Sequence, residues 1–100
     1  MGRRAKAILI DERDNVATVL LPLGAGTNVE LDIAGRTERV TLLSAIPAGH
    51  KFALRQIESG APVVEYGEPI GEAAVRILPG EHVHVHNVAS KGKKSEGTSV

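Results

Sequence analysis

The sequence predicts a single all-β domain built from many short strands. Three observations support this: apolar runs are interrupted by glycine- or proline-containing turns about every eight to twelve residues, the segment VELDI alternates apolar and acidic side chains as a half-buried strand does, and no segment shows the length and period of a long helix. A chain of 100 residues with 42% hydrophobic content is also the size of one domain.

The predicted strands follow one another between recognisable turns. The charged turn DERDN separates a strand in AKAILI from one in NVATVLL, and the loop PLGAGTN leads into VELDI. The later strands are expected in RTERVTLLSAI, PVVEY, IGEAAVRI and HVHVHNV, separated by the turns ESGAP, YGEP and LPGE. We expect AILI, VATVLL and VVEY to supply core side chains. The segment AGHKFALRQI fits neither period and is compatible with one helical turn, and no internal repeat is apparent.

Composition excludes several classes of protein. Twelve basic residues balance twelve acidic ones, and Phe52 and Tyr66 are the sole aromatic residues, which argues against nucleic acid as a partner. Without cysteine there is no disulfide framework and no thiolate metal site. The opening MGRRAKAILI is too short in apolar residues for a signal peptide or a membrane span. We therefore expect a cytoplasmic protein that does not bind membranes.

Three of the four histidines lie at alternate positions in GEHVHVHNV, as His82, His84 and His86. On an extended strand these side chains would form one row on one face, with Val83 and Val85 on the other. Two imidazoles so placed can bind one metal ion at about 2.0 to 2.1 Å. A solvent-facing edge strand with three exposed histidines explains the pattern equally well.

The fourth histidine, His50, lies beside Lys51 in PAGHKFAL. Gly49 allows a tight backbone turn there, and a loop is where binding and catalytic side chains are often presented. The Lys51 ammonium is a compact donor that suits a carboxylate. An ordinary exposed loop is the alternative for this pair. Glu65 and Glu68, which flank Tyr66 and Gly67, could join a polar site, although a turn explains them as well.

Three sequence blocks, in the same order, resemble the SAF domain of the altronate and galactarate dehydratase family. They are DNVATVL, IPAGHKFALRQIESGAPVVEYGEPIGEA and ILPGEHVHVHNV, so the resemblance runs from about residue 7 to residue 88. It implies a β-clip, a compact all-β fold similar to that of type III antifreeze proteins. On this basis we expect a SAF-like domain over residues 1–89 and a flexible polar tail over residues 90–100.

The resemblance also implies a function. It predicts the small subunit, or the equivalent of the N-terminal domain, of a metal-dependent hydro-lyase that is inactive without a large catalytic subunit. The chain's own Met1 favours a natural small subunit over a cloned fragment. The reaction would be a β-elimination from a sugar acid with a divalent metal, often iron(II), whose site could lie largely in the partner. Position by position, it implies catalytic roles for His50 and Lys51, metal ligation by His84 and His86, a weaker claim for His82, and substrate binding by Asn87.

Two alternatives stay open from the sequence. The chain could be the small subunit of a sulfolactate sulfo-lyase, with a sulfonated hydroxy acid as substrate, or a non-catalytic β-clip module that binds a ligand or a partner. The sequence does not decide between these substrates, and it leaves a homo-oligomer open.

Overall fold

A computed structural model describes residues 6–90, and within that range the chain forms short β-strands and no helix. The strands are β1 Ala7–Ile8, β2 Val16–Val19, β3 Asn28–Ile33, β4 Arg36–Thr41, β5 Lys51–Ala53, β6 Pro62–Glu65, β7 Glu68–Ala73, β8 His82–Val83 and β9 Val88–Ala89. The predicted all-β, SAF-like fold is confirmed. The predicted tail falls mostly on residues 91–100, which lie outside the described range. No helix in residues 6–90 is long and apolar enough to cross a membrane.

The strands form three small antiparallel sheets. One has four strands in the order β1-β2-β5-β8, the hairpin β3-β4 forms a second, and β6-β7-β9 form a third. In the hairpin β3-β4, Val29, Leu31 and Ile33 are buried and alternate with exposed residues. The half-buried strand predicted in VELDI is therefore confirmed.

The four-stranded sheet separates two hydrophobic clusters. Neighbouring residues of a strand point to opposite faces, so Ala17 and Phe52 belong to the first cluster and Val16 and Ala53 to the second. Phe52 is fully buried, and a Phe52→Ala substitution is expected to cost about 3 to 5 kcal/mol. The central sheet is thus covered on both faces and forms the rigid base of the domain.

A single turn motif occurs four times within the described residues. In each copy a buried Leu or Ile precedes a four-residue turn whose glycine has a positive φ, between 84° and 89°. The glycine N–H donates to the carbonyl of a distant residue, whose own N–H donates back to the residue after the glycine. In the four copies, the aliphatic residue and the glycine are Leu23 and Gly26, Ile46 and Gly49, Ile57 and Gly60, and Ile77 and Gly80.

The four turns are joined in two pairs, so the domain contains a structural repeat. Leu23 forms a β-bridge with Ile46, and Ile57 forms one with Ile77. The hairpin β3-β4 lies between the turns of the first pair and the hairpin β6-β7 between those of the second. This repeat is one of backbone structure, and it was not apparent in the sequence. The four copies share little beyond an aliphatic residue and a glycine three positions later, and their spacing along the chain is uneven.

Three other expectations are corrected. AGHKFALRQI contains strand β5 and no helical turn. AILI supplies little core, because Ala7 is buried whereas Ile8 and Ile10 are exposed. HVHVHNV is not one strand: β8 ends at Val83, and a turn follows before β9 begins at Val88. The three histidines therefore do not form a row on one strand face, and Val85 is 81% exposed at the turn instead of facing inward.

Candidate histidine site

All four histidines gather at one place on the surface, although the predicted strand row is absent. His50 follows the glycine of the second turn, immediately before β5, and His82 follows the fourth turn at the start of β8. Antiparallel pairing of β5 with β8 places His82 opposite Phe52 and Lys51 opposite Val83. The ring of His50 is thereby brought beside that of His82, 32 residues away in the sequence.

His84 and His86 reach the same place through the turn that follows β8. The turn is closed by the N–H of Asn87, which donates to the carbonyl of His84 at 3.1 Å. The Asn87 side chain, which is buried, accepts a hydrogen bond from the His84 N–H and donates one to the His82 carbonyl, both at 2.9 Å. The backbone turns back on itself and keeps these imidazoles close to each other.

The four rings form the histidine cluster: His50, His82, His84 and His86. His50 Nδ1 and His82 Nε2 are 2.9 Å apart, which is a hydrogen bond when one of the two nitrogens carries the proton. The His84 ring stacks on that of His50 at a centroid distance of 4.1 Å, and the His86 ring is tilted against that of His82 at 5.3 Å. His50 and His82 are half-buried.

Crowding and desolvation lower the pKa values of two of the imidazoles, His82 and His84, and so favour their neutral forms. Desolvation lowers the pKa of His82 below its usual value, and the neighbouring imidazoles of His50, His86 and His84 lower it further. Desolvation also lowers the pKa of His84, with additional contributions from His50, Lys51 and His86. Neutral imidazoles retain a free lone pair, so at neutral pH these side chains can accept a proton or bind a metal ion.

A carboxylate and an ammonium lie at the edge of the histidine cluster. Lys51 Nζ is 3.7 Å from Glu65 Oε1, and the side chain of Glu65 is only 13% exposed. Thr18 on β2 donates from Oγ1 to Glu65 Oε2 at 3.4 Å. At 3.7 Å the ion pair is looser than a hydrogen bond. The charge of Glu65 therefore holds the Lys51 ammonium in place, and the N–H groups of the ammonium can still donate hydrogen bonds to an anionic ligand.

The donor atoms fit a divalent metal ion. One ring nitrogen from each of His50, His82 and His84 lies within 4.8 Å of the other two. Ligands about 2.0 to 2.1 Å from a common ion are at most about 4.2 Å apart, so at most a small inward movement of the rings is needed. Imidazole nitrogens suit iron, zinc, copper and nickel. The set leaves further coordination positions for water or a substrate.

The structure thus unites most of the residues predicted to be functional. His50, Lys51, His82, His84 and His86 lie together, and the geometry favours His82 over His86 as a companion of His84 in metal binding. Asn87 lies beneath them, and both the Oδ1 and the Nδ2 of its side-chain amide are hydrogen-bonded to the backbone. Sequence reasoning left Glu65 open between a polar site and a turn and did not consider Thr18, because the link to Lys51 depends on how β2 and β6 approach each other.

Comparison with known proteins agrees with the family resemblance seen in the sequence. The model of the altronate/galactarate dehydratase SAF domain family matches residues 5–91. Altronate dehydratase of Escherichia coli is 48% identical over 80 residues, and that of Bacillus subtilis is 36% identical over 80 residues. Each of these matches covers 80% of this chain and 15% of the dehydratase.

Two shorter relatives have the name (2R)-sulfolactate sulfo-lyase subunit alpha. The protein from Chromohalobacter salexigens is 45% identical over 56% of this chain and 60% of its own length. The protein from Paracoccus pantotrophus is 42% identical over 53% of this chain and 79% of its own length. Because the family model matches nearly the whole chain, this protein belongs to the altronate/galactarate dehydratase SAF domain family.

Proposed function

We propose that this chain acts in the cytoplasm as the small-subunit or N-terminal-domain equivalent of an altronate/galactarate-type hydro-lyase. It would form one wall of a β-elimination site and be inactive without a large catalytic subunit. The observation that supports this most directly is the histidine cluster, which brings neutral imidazoles and the Lys51 ammonium to one surface of a 100-residue domain. The relatives support it too, because in altronate dehydratase the matching region is 15% of a longer chain.

The residues have part of the chemistry that dehydration of a 2,3-dihydroxy acid requires. A base must take the proton α to the carboxylate, and the leaving hydroxyl must be stabilised. In our proposal Lys51 binds the substrate carboxylate, with Glu65 keeping its ammonium at the site. His50, His82 and His84 would hold a divalent ion, iron(II) in this family, and the ion would act as a Lewis acid toward the leaving hydroxyl.

His50 was expected to be catalytic, and its position allows two roles. Its Nδ1 is hydrogen-bonded to His82, and its ring stacks on His84, so it belongs to the group of three that can share an ion. We therefore assign His50 to metal binding and place the proton-accepting base in the large subunit. His86, at the rim of the cluster, is left to assist as a fourth ligand or as a contact to the substrate.

A sulfolactate sulfo-lyase small subunit is the second candidate. A specific observation supports it: the two proteins named (2R)-sulfolactate sulfo-lyase subunit alpha are 45% and 42% identical to this chain over 56% and 53% of its length. The same surface could serve both reactions, because each would remove a group β to a carboxylate. A third candidate, a β-clip that only binds a ligand or partner, does not explain why neutral imidazoles gather beside Lys51.

The test is to reconstitute the chain with the large dehydratase-like subunit of the same organism. Turnover of altronate, galactarate and sulfolactate would be measured for each chain alone and for the mixture, with iron(II) supplied. We expect turnover only in the mixture, and loss of most of it with His84→Ala. Thr27→Ala is the control, because Thr27 follows the glycine of the first turn as His50 follows that of the second.

Each outcome of this experiment distinguishes between the candidate functions. Full activity of the isolated small chain would overturn the subunit assignment, and a large chain indifferent to it would favour the binding module. The substrate that turns over identifies which of the two lyase reactions is correct. Unchanged activity in both His84→Ala and His86→Ala would reduce the histidine cluster to a solvated surface.

A further inference from the structure

We infer that Asn87 is a positioning residue, which sets the geometry of the histidine cluster and does not contact the substrate. This departs from the substrate-binding role that the family resemblance implies for Asn87. Its consequence for catalysis rests on the proposed function. Its geometric content can be tested on this chain alone, without any partner or substrate.

The Asn87 side chain is turned away from the surface. It is 1% exposed, whereas the flanking His86 is exposed. Its Oδ1 accepts from the His84 N–H and its Nδ2 donates to the His82 carbonyl. A buried amide with both ends bonded is costly to remove, because each lost hydrogen bond would leave an unsatisfied buried group. No such atom is found among the described side chains.

The bonds explain how β8 can end without losing its geometry. In an extended segment the carbonyl of one residue and the N–H two residues later point to the same side. β8 ends at Val83, and its pairing with β5 involves only His82 and Val83. The Asn87 side-chain amide binds the His82 carbonyl and the His84 N–H, as the backbone of a neighbouring strand would. It therefore fixes the directions in which the His82 and His84 side chains leave the backbone.

Asn87 also connects the histidine turn to the rest of the domain. Its carbonyl accepts a hydrogen bond from the Ala74 N–H at 2.9 Å, just after β7. Its own N–H closes the turn on the His84 carbonyl. All four polar groups of the residue are thus engaged with backbone, which ties His82 and His84 to a strand pair that does not itself carry a histidine.

The chain contains a matched control for this arrangement. Asn15 accepts a hydrogen bond from the Val64 N–H at 2.8 Å and donates one to the Pro62 carbonyl at 3.0 Å. Pro62 and Val64 follow Gly60 at the same distances as His82 and His84 follow Gly80. The same hydrogen-bonding pattern therefore occurs twice, once under histidines and once under apolar residues.

The experiment compares Asn87→Ala with Asn15→Ala in the full chain. NMR would record the histidine ring signals and the nuclear Overhauser effects between the rings of His50 and His84. In Asn87→Ala we expect these effects to weaken and the ring signals of His82 and His84 to shift, while the amide signals of β2 stay in place. In Asn15→Ala the rings should be unchanged, and the amide signals of Val64 should shift.

The reconstituted enzyme supplies the second measurement. Loss of an outer-shell partner typically costs about 10- to 100-fold in metal affinity or activity, and we expect Asn87→Ala to lower kcat by that factor with KM nearly unchanged. Unchanged ring signals together with a raised KM would overturn the inference and restore a substrate contact. Equal ring changes in both variants would overturn it as well. Failure of the proposed function leaves the NMR comparison valid.

Asn87→Ser is the second variant, because its hydroxyl can keep one of the two hydrogen bonds. Should Asn87→Ala fail to fold, Asn87→Ser is expected to show the same ring changes to a smaller extent. Loss of the fold in both variants, with Asn15→Ala folded, would make Asn87 a general stability residue and would overturn the local role.

Discussion

The turns at residues 57–64 and 77–84 have the same backbone and differ in the side chains that could do chemistry. Gly60 and Gly80 have φ values of 87° and 85°, and an asparagine binds the backbone that follows each glycine. The residue third after the glycine is a buried valine in both, Val63 and Val83. On either side of that valine the first turn has Pro62 and Val64, and the second has His82 and His84.

The difference shows which positions of this fold are free to carry function. The valine points into the second hydrophobic cluster in both turns, so packing fixes it. Its two neighbours point outward and contribute little to the core. The turn at 77–84 is the one whose strand pairs with β5, and the pairing brings His50 and Lys51 within reach. The histidines lie where the tertiary structure supplies neighbours for them.

The largest expected effect is on the free energy of unfolding, and it distinguishes the glycines of the two turns. A Cβ on Gly60 would meet nothing within 4 Å, whereas one on Gly80 would lie 2.1 Å from the Thr41 carbonyl oxygen. Gly60→Ala should cost about 1 to 2 kcal/mol for its positive φ. Gly80→Ala should cost about 1 to 3 kcal/mol more, because the backbone must move to relieve the overlap. Urea unfolding measures both, and equal losses would contradict the close approach.

The second effect concerns metal affinity and sharpens the comparison between the ligands. The group of three ring nitrogens that lie close together includes His82, whereas His86 lies at the rim of the cluster. His82→Ala should therefore weaken cobalt(II) binding by the isolated chain by more than the roughly 100-fold that an outer-shell loss can cost. His86→Ala should weaken it less than about tenfold. Calorimetric titration at pH 7.5 gives both constants, with Thr27→Ala as the control. A greater loss with His86→Ala would reverse the proposed ligand set.

A third effect is the pH dependence of stability, which His82 and His84 of the turn at residues 77–84 should produce. The pKa values of His82 and His84 are lowered in the folded chain, whereas in the unfolded chain they return to about 6.5. The unfolded state therefore binds more protons below about pH 6.5, and the free energy of unfolding should fall as pH drops from 6.5 toward the folded pKa values.

Unfolding measured between pH 8 and pH 5 checks this expectation. The double variant His82→Gln/His84→Gln should flatten the dependence. The Asp11 carboxyl does not interfere in that range. The bond to Arg13 lowers the pKa of Asp11 from 3.8 to about 2, so its stabilising effect is lost only as pH falls below about 4. A profile equally steep in the double variant would remove the histidines as its cause.

The smallest effect compares ion pairs on the two hairpins. Glu65 at the end of β6 is 13% exposed and faces Lys51, whereas the side chain of Glu30 on β3 is 47% exposed and pairs with Arg39 at 2.7 Å. Exposed pairs contribute about 0 to 1 kcal/mol. Glu65→Gln should cost more than Glu30→Gln despite its longer distance, because water screens the second pair more. Unfolding in low and high salt measures the difference, and a larger loss for Glu30→Gln would contradict it.

Much of the fold could be predicted from local pattern. The alternation in VELDI fixes which side chains of β3 are buried, since a strand has a two-residue period. The repeat of turns could not be found in the same way. Its copies depend on hydrogen bonds between distant residues, such as Gly80 to Ala53, and these leave only an aliphatic residue and a glycine in the sequence.

The sequence by itself determined that this is a small all-β domain, and it singled out His50, Lys51 and the histidines of HVHVHN as candidate site residues, because strand periodicity, turn residues and rare side chains are local properties. The tertiary structure alone decided how those residues meet. It ended β8 at Val83, folded His84 back over His50, and brought Glu65 to Lys51. The physical reason is that strand pairing and buried hydrogen bonds, such as those of Asn87, join residues far apart in the chain.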